Sequence, residues 1–183
     1  EMSSTTLDNC IRYSRPEDRE LSMCFNFHHL KVDYRDGDKW KLMEPDLVRL
    51  KQLFMEWQEG MERENGWNAV FWCNHDQPRA ISRFGDDGRY WKESAKMLAT
   101  VIHMFRGTPY VYQGEELGMT NPHYVDISQY RDVESINYYR ILTEQGITGE
   151  EALKVLAARS RDNGRTPMQW DGSRYAGRSE EHT

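Results

Sequence analysis

The sequence has no long apolar run, no excess of basic residues and few cysteines. No segment approaches the roughly 20 unbroken apolar residues that a membrane-spanning helix needs, and the first residues lack a signal-peptide pattern. Lysine and arginine total 24 against 30 aspartates and glutamates, for a formal net charge of -6. This balance argues against a nucleic-acid or membrane partner, because both prefer clustered basic residues, and leaves small neutral or anionic ligands open.

The cysteines and histidines lack the spacing of metal sites. Cys10, Cys24 and Cys73 are odd in number and form no Cys-x-x-Cys pair, which is typical of reduced thiols in a cytoplasmic protein. The six histidines form no His-x-His or His-Glu-x-x-His pattern. We therefore expect neither a metal nor a cofactor.

Hydrophobic periodicity predicts alternating strands and helices. Leu47, Leu50, Phe54, Trp57 and Met61 recur at steps of three and four residues, which is one face of a helix. Similar patterns predict helices over residues 5–13, 44–65, 93–106, 133–142 and 150–161, and strands over residues 21–28, 67–73 and 110–112. The first strand is expected to have one apolar and one polar face. This order indicates parallel strands and an α/β fold.

Polar side chains follow each predicted strand. His28 and His29 follow the first strand, residues 74–76 follow the second, and residues 113–116 follow the third. In a closed barrel of parallel strands the active site lies at the carboxyl ends of the strands. The second group supplies two hydrogen-bonding side chains, Asn74 and His75, and one carboxylate, Asp76. Such a set could bind the hydroxyl groups of a sugar. A plain turn, with Asn74 and Asp76 as caps and Pro78 beginning the next element, is an equally good interpretation.

Four segments together resemble the α-amylase superfamily of glycoside hydrolases, and within it the oligo-1,6-glucosidase group. They are residues 26–34 (NFHHLKVDY), 71–79 (FWCNHDQPR), 112–119 (YQGEELGM) and 161–170 (RDNGRTPMQW). The resemblance runs from Glu1 to about Asp171. It implies a partial (β/α)8 barrel, from the end of the fifth strand through the eighth helix, over residues 1–177.

The resemblance also implies the roles of the site residues in a retaining α-glucosidase. Glu1 matches the general acid/base, Asp76 the carboxylate that stabilises the transition state, and His75 its neighbour that contacts the sugar, with Asn74 beside them. The Asp nucleophile of the family matches no residue of this chain and is expected upstream of Glu1. We therefore expect the chain alone to be inactive.

Lys31 indicates the substrate. Where relatives that act on neutral sugars carry an acidic or neutral pair, this chain has His29-Leu30-Lys31 just beyond a predicted strand. A lysine there suits a phosphate on the leaving-group sugar. The resemblance thus implies a phosphorylated disaccharide, trehalose 6-phosphate, with Lys31 on the phosphate and His28 or His29 assisting. A solvated lysine is the alternative.

Other charged residues have two interpretations each. Arg165 and Gln169 match a loop that, in the family, covers the mouth of the active site, so both are candidate substrate contacts. Arg165 could instead form an ion pair with Asp162 or Asp171. Glu115 and Glu116 are expected to cap the next element and neutralise Arg79 or Arg83 rather than form an acid pair.

Three alternatives to the phosphorylated substrate stay open. The parent protein could hydrolyse neutral isomaltose-like or dextran-derived oligosaccharides, be a catalytically silent partner domain, or be a sugar-binding module. We expect a cytoplasmic, monomeric protein. Residues 178–183 depart from the family pattern, and we interpret them as a non-native tail.

Overall fold

The computed structural model describes residues 1–177, so the predicted non-native tail lies outside the described residues. The chain divides into two compact units. The first comprises residues 1–72 and 96–110, and the second comprises residues 73–95 and the chain from residue 111 onward. Both contain α-helices and the first contains a parallel sheet, in agreement with the predicted α/β class.

The first unit is built on three short parallel strands. They are β1 (Cys24–Phe25), β2 (Asn68–Val70) and β3 (Thr108–Pro109), in the order β1-β2-β3. Cys24 pairs with Asn68 and Ala69 pairs with Thr108. Helices α1 (Leu7–Ser14) and α2 (Leu47–Arg63) accompany the sheet, together with most of α4 (Trp91–Met104), whose first residues belong to the second unit.

Local signals determine where α2 begins and ends. The Asp46 carboxylate accepts a hydrogen bond from the Arg49 amide at 2.9 Å and caps the first turn. Asn65, with a φ of 57°, adopts the left-handed conformation just beyond the last turn. Leu50, Trp57 and Met61 are buried, which confirms most of the predicted apolar face. Leu47, the first residue of the helix, is instead exposed.

The predicted strands are longer than the observed ones. In addition, the first strand was predicted to bury one face and expose the other, and its burial does not follow that pattern. Leu21 is exposed, whereas Cys24 and Asn26 are buried beside Phe27. A strand in a parallel sheet is covered on both sides, so the alternation of apolar and polar residues does not describe it. The third strand is Thr108–Pro109 rather than residues 110–112. Pro109 is tolerated because the hydrogen bond to β2 comes from the next residue, whose amide (Tyr110) donates to the Val70 carbonyl.

The second unit contains a short helix, α3 (Ala80–Phe84), which was not predicted, and the helical pair α5 (Val133–Glu144) and α6 (Gly149–Arg159). Asp132 caps α5, and Thr148 with Glu151 forms a capping box on α6. Ala152 and Leu156 of α6 are fully buried. Helices α5 and α6 match the predicted helices to within two residues.

Replacing Leu156 by alanine should destabilise the chain by about 2–5 kcal/mol, because the change leaves a cavity where the side chain is fully buried. Val133→Ala, at a position that is 69% exposed on α5, is the matched control and should change the free energy of unfolding by about 0.5 kcal/mol or less. Urea unfolding of both variants provides the measurement. Equal effects would mean that α6 is not packed as described.

Candidate active site

Asn74, His75 and Asp76 form a tight turn in the second unit. The Asn74 side-chain oxygen accepts a hydrogen bond from the Asp76 backbone amide at 2.8 Å. The Asn74 backbone carbonyl accepts one from the Gln77 backbone amide at 3.2 Å. The predicted turn is therefore present. The capping part of the interpretation is wrong, because α3 begins at Ala80, after Arg79, and neither Asn74 nor Asp76 caps it. Pro78 likewise does not begin the next element. The same turn presents Asp76 at the surface, so a structural and a functional role are compatible.

Two arginines and a histidine surround the Asp76 carboxylate, whose side chain is 30% exposed. Arg165 donates a hydrogen bond from Nη2 to Oδ1 at 2.7 Å, and Arg161 places Nη1 3.7 Å from the same oxygen. His75 Nε2 lies 3.5 Å from Oδ2. The result is a solvent-accessible carboxylate in a fixed, cation-rich environment.

The two arginines are themselves held by carboxylates at the start of α5. Arg165 Nη1 donates to Asp132 Oδ1 at 3.1 Å, and Arg161 Nε donates to Glu134 Oε2 at 3.0 Å. Partial burial lowers the pKa of Arg165, but the hydrogen bond to Asp76 and the charge of Asp132 outweigh it and raise this pKa. Arg165 thus forms the predicted kind of ion pair, with Asp76 and Asp132 rather than with Asp162 or Asp171.

The buried Arg79 anchors the turn that carries Asp76. Its guanidinium donates from Nη1 to the Gln113 carbonyl at 2.6 Å and from Nη2 to the Thr166 hydroxyl at 3.0 Å. Its backbone amide donates to the Asn121 side chain at 2.9 Å. These contacts connect the turn to three other segments of the second unit.

Glu115 and Glu116 hold local backbone, in line with the capping prediction. Glu115 accepts hydrogen bonds from the Tyr112 amide at 2.7 Å and from the Cys73 thiol at 3.1 Å, and Glu116 accepts one from the Gly114 amide at 2.8 Å. Burial raises the pKa of Glu115 above its ordinary value and, together with the Glu115 charge, raises the pKa of Cys73. These groups are structural rather than a second acid pair.

Gln169 lies elsewhere in the second unit. It is exposed and lines an open groove of about 600 Å³ together with Trp91, Thr166 and Tyr175. None of residues 74–76 lines this groove.

The remaining candidates lie in the first unit, along its first residues. Glu1 is exposed. Lys31 donates from Nζ to the Ser3 carbonyl at 3.0 Å and to the Ser4 hydroxyl at 3.1 Å. His28 donates from Nε2 to the Thr5 carbonyl at 2.7 Å.

His29 is different from its neighbour. It is only 7% exposed, and its Nε2 donates to the Phe71 carbonyl at 2.8 Å among aromatic rings. His28 thus shares the segment of residues 3–5 with Lys31, whereas His29 is buried against Phe71.

Sequence reasoning missed Arg161, Asp132 and Arg79 as parts of the site. Arg161 lies four residues before Arg165 in the same motif, and Asp132 directly precedes a predicted helix, where a capping residue is expected. Both signals were available. The role of Arg79 depends on partners 34 and 87 residues away, which no local pattern indicates.

Within the described part of the chain, no group of three or more histidine, cysteine, aspartate or glutamate side chains is arranged to hold a metal ion. Among those same residues, no helix combines the length and apolar character that membrane spanning requires.

The chain belongs to the α-amylase catalytic-domain family, whose model matches residues 1–183. The resemblance to this superfamily is thereby confirmed. Two curated relatives illustrate the similarity. The trehalose-6-phosphate hydrolase of Bacillus subtilis (strain 168) is 60% identical over 97% of this chain, and the oligo-1,6-glucosidase of Bacillus cereus is 47% identical over 97%. In each case the match covers 32% of the relative, so the chain spans about a third of their length.

A solved structure agrees with these relatives. The crystal structure of trehalose-6-phosphate hydrolase from Bacillus licheniformis superposes with a TM-score of 0.93 at 63% identity, over 96% of this chain and 32% of that chain. The chain is thus similar in sequence and in fold to one part of a glycoside hydrolase.

Replacing Glu115 by glutamine should change how stability depends on pH. Because burial raises the folded-state pKa of Glu115 above 4.5, its contribution to stability is present at acid pH and is lost as pH rises through the raised value. The free energy of unfolding of Glu115→Gln minus that of the wild type should therefore increase as pH rises from 4, below the ordinary pKa, to 8. Urea unfolding at each pH measures this difference, in which other carboxylates cancel. A constant difference would contradict the raised pKa.

Proposed function

We propose that this chain is part of a retaining α-glucosidase that hydrolyses trehalose 6-phosphate to glucose and glucose 6-phosphate. Residues 1–177 would form the second half of the catalytic barrel, from the end of the fifth strand through the eighth helix. The parallel β1-β2-β3 sheet with intervening helices supports a barrel wall, since parallel strands need such crossovers. The similarity to trehalose-6-phosphate hydrolases supports the substrate.

In this proposal Glu1 is the general acid/base and Asp76 stabilises the transition state. Retaining glycosidases use one carboxyl group as nucleophile and a second as acid/base around an oxocarbenium-like transition state. Glu1 would protonate the departing glucose 6-phosphate, while Asp76 would stabilise positive charge that develops on the glucose. His75 would contact that sugar, with Asn74 beside it. The half-buried position of Asp76 beside Arg165 and Arg161 supports a role for a carboxylate that is held in place.

The observation that carries the substrate assignment is the position of Lys31. Its ammonium group is bonded to Ser3 and Ser4, so it lies on the segment that begins with the proposed acid Glu1. A phosphate on the leaving-group sugar would need a cation near the group that protonates that sugar. His28, bonded to Thr5, lies on the same segment and would assist.

A neutral oligosaccharide is the competing substrate. The 60% identity to a trehalose-6-phosphate hydrolase exceeds the 47% identity to an oligo-1,6-glucosidase over the same share of the chain. This difference and the Lys31 contacts favour the phosphorylated sugar. We also propose a cytoplasmic location, which the three free, buried cysteines support because reducing compartments keep thiols unpaired. The monomeric state stays a prediction.

A chimera tests the proposed reaction directly. Residues 1–177 would replace the matching segment of the Bacillus licheniformis relative, which supplies the remainder of the barrel. We expect release of glucose 6-phosphate from trehalose 6-phosphate, and a higher kcat/KM for this sugar than for isomaltose. We expect no hydrolysis by the chain alone, because the nucleophile of the family matches none of its residues. A folded chimera that prefers isomaltose, or that hydrolyses neither sugar, would contradict the proposal.

Replacing Lys31 by alanine in this chimera should raise KM for trehalose 6-phosphate by about 10- to 100-fold, the typical value of a charged hydrogen bond. KM for a neutral aryl α-glucoside should change little, because that substrate has no phosphate. Lys154→Ala, which removes an exposed lysine paired with Glu150, is the matched control and should leave both values unchanged. Equal effects of Lys31→Ala on both substrates would remove Lys31 from the phosphate site.

A further inference from the structure

Glu115 connects two segments of the second unit through both oxygens of its carboxylate. Oε1 accepts a hydrogen bond from the Cys73 thiol at 3.1 Å, and Oε2 accepts one from the Tyr112 backbone amide at 2.7 Å. Cys73 directly precedes Asn74, the first residue of the turn that carries Asp76. One carboxylate therefore joins the start of this turn to the segment of residues 112–115.

The end of the turn is bound to the same segment. Arg79 donates from Nη1 to the Gln113 carbonyl at 2.6 Å, and its guanidinium lies 5.4 Å from the centre of the Tyr112 ring. The turn is thus held at both of its ends by the segment of residues 112–115. Its conformation depends on the contact at Cys73 as much as on the contact at Arg79.

The protonation state of Cys73 suits its contact with Glu115. Cys73 is 2% exposed, and burial together with the Glu115 charge raises the pKa of the thiol well above its ordinary value. The thiol therefore keeps its proton at neutral pH and donates it in a hydrogen bond to the carboxylate. A buried thiol in this state is unreactive, so its use here is to hold Glu115.

The turn transmits the position of its first residue to Asp76. The Asn74 side-chain oxygen accepts from the Asp76 backbone amide at 2.8 Å, so a shift of Cys73 and Asn74 also moves the acceptor that holds Asp76. A carboxylate that stabilises a transition state must be in place before the reaction, because reorientation during the reaction costs rate.

We infer that Glu115 is a positioning residue, which holds the start of this turn through the Cys73 thiol and thereby fixes the location of the Asp76 carboxylate. This inference rests on the proposed role of Asp76 in the reaction. Glu115 contacts no substrate and transfers no proton, since it acts through Cys73 and the turn.

Variants of Cys73 in the chimera test this contact with little change in volume. Cys73→Ala removes the donor and should lower kcat by about 3- to 10-fold, since small displacements of a reacting group are costly. Cys73→Ser supplies a hydroxyl donor to the carboxylate and should keep kcat within about twofold of the parent value. Cys10→Ala is the matched control, because it removes the thiol of another buried cysteine, in α1, and should leave kcat unchanged.

Glu115→Gln tests the other partner. Glutamine has one acceptor oxygen where the carboxylate uses two, so we expect a similar fall in kcat of about 3- to 10-fold. Glu116→Gln is the matched control, because Glu116 accepts from the Gly114 amide at 2.8 Å and a single amide oxygen can still do so. The double variant with Cys73→Ala should be no slower than the slower single variant, since both changes break one contact.

Two readouts separate positioning from substrate contact and from a loss of stability. Each loss should lower kcat by the same factor on trehalose 6-phosphate and on p-nitrophenyl α-glucoside, with KM nearly unchanged, because the glucose that faces Asp76 is common to both. A purely structural contact would change Tm but leave kcat unchanged when kcat is measured well below Tm.

Several outcomes would overturn the inference. They are equal kcat values for Cys73→Ser and Cys73→Ala, a loss confined to KM or to the phosphorylated substrate, multiplicative losses in the double variant, or an equal loss in either control. An inactive parent chimera would instead count against the proposed function, so the two failures are distinguishable. Thermal unfolding identifies variants that fail to fold. If Glu115→Gln does so, the two Cys73 variants decide.

Discussion

The buried guanidinium of Arg79 is the interaction on which the candidate site of the second unit depends. This side chain is only 1% exposed, so its charge needs acceptors in place of water. The Gln113 carbonyl and the Thr166 hydroxyl accept from its two terminal nitrogens, whereas its buried Nε has no hydrogen-bond partner among the described residues. Because Arg79 follows Asp76 by three residues, these contacts fix one end of the turn that presents the carboxylate. Arg165 fixes the other, exposed side of the same turn.

The two units support different parts of the proposed chemistry. The second unit presents Asp76 on a turn with charged neighbours, which suits stabilisation of positive charge on a sugar. The first unit places Lys31 and His28 against the segment that follows Glu1, which suits recognition of a phosphate beside the proposed acid. In both units, the proposed site residues lie on connecting segments that helices and strands hold, as is usual for enzymes.

Much of the fold was predictable from the sequence, but the site was predictable only in part. Helix α2 was visible because its buried face repeats every three to four residues. The strand predictions were less accurate. The observed strands have only two or three residues each, and strands covered on both sides show no alternation of apolar and polar residues. Asp76 was found through a motif. Its ties to Arg165 and Asp132 span 89 and 33 residues of sequence, and such tertiary contacts leave no local pattern.

The most direct test of the account is a crystal structure of the chimera with trehalose 6-phosphate bound, using Glu1→Gln to block hydrolysis. We expect phosphate oxygens within about 3.2 Å of Lys31 Nζ, the range of a charge-assisted hydrogen bond. A phosphate bound away from Lys31 would contradict this assignment.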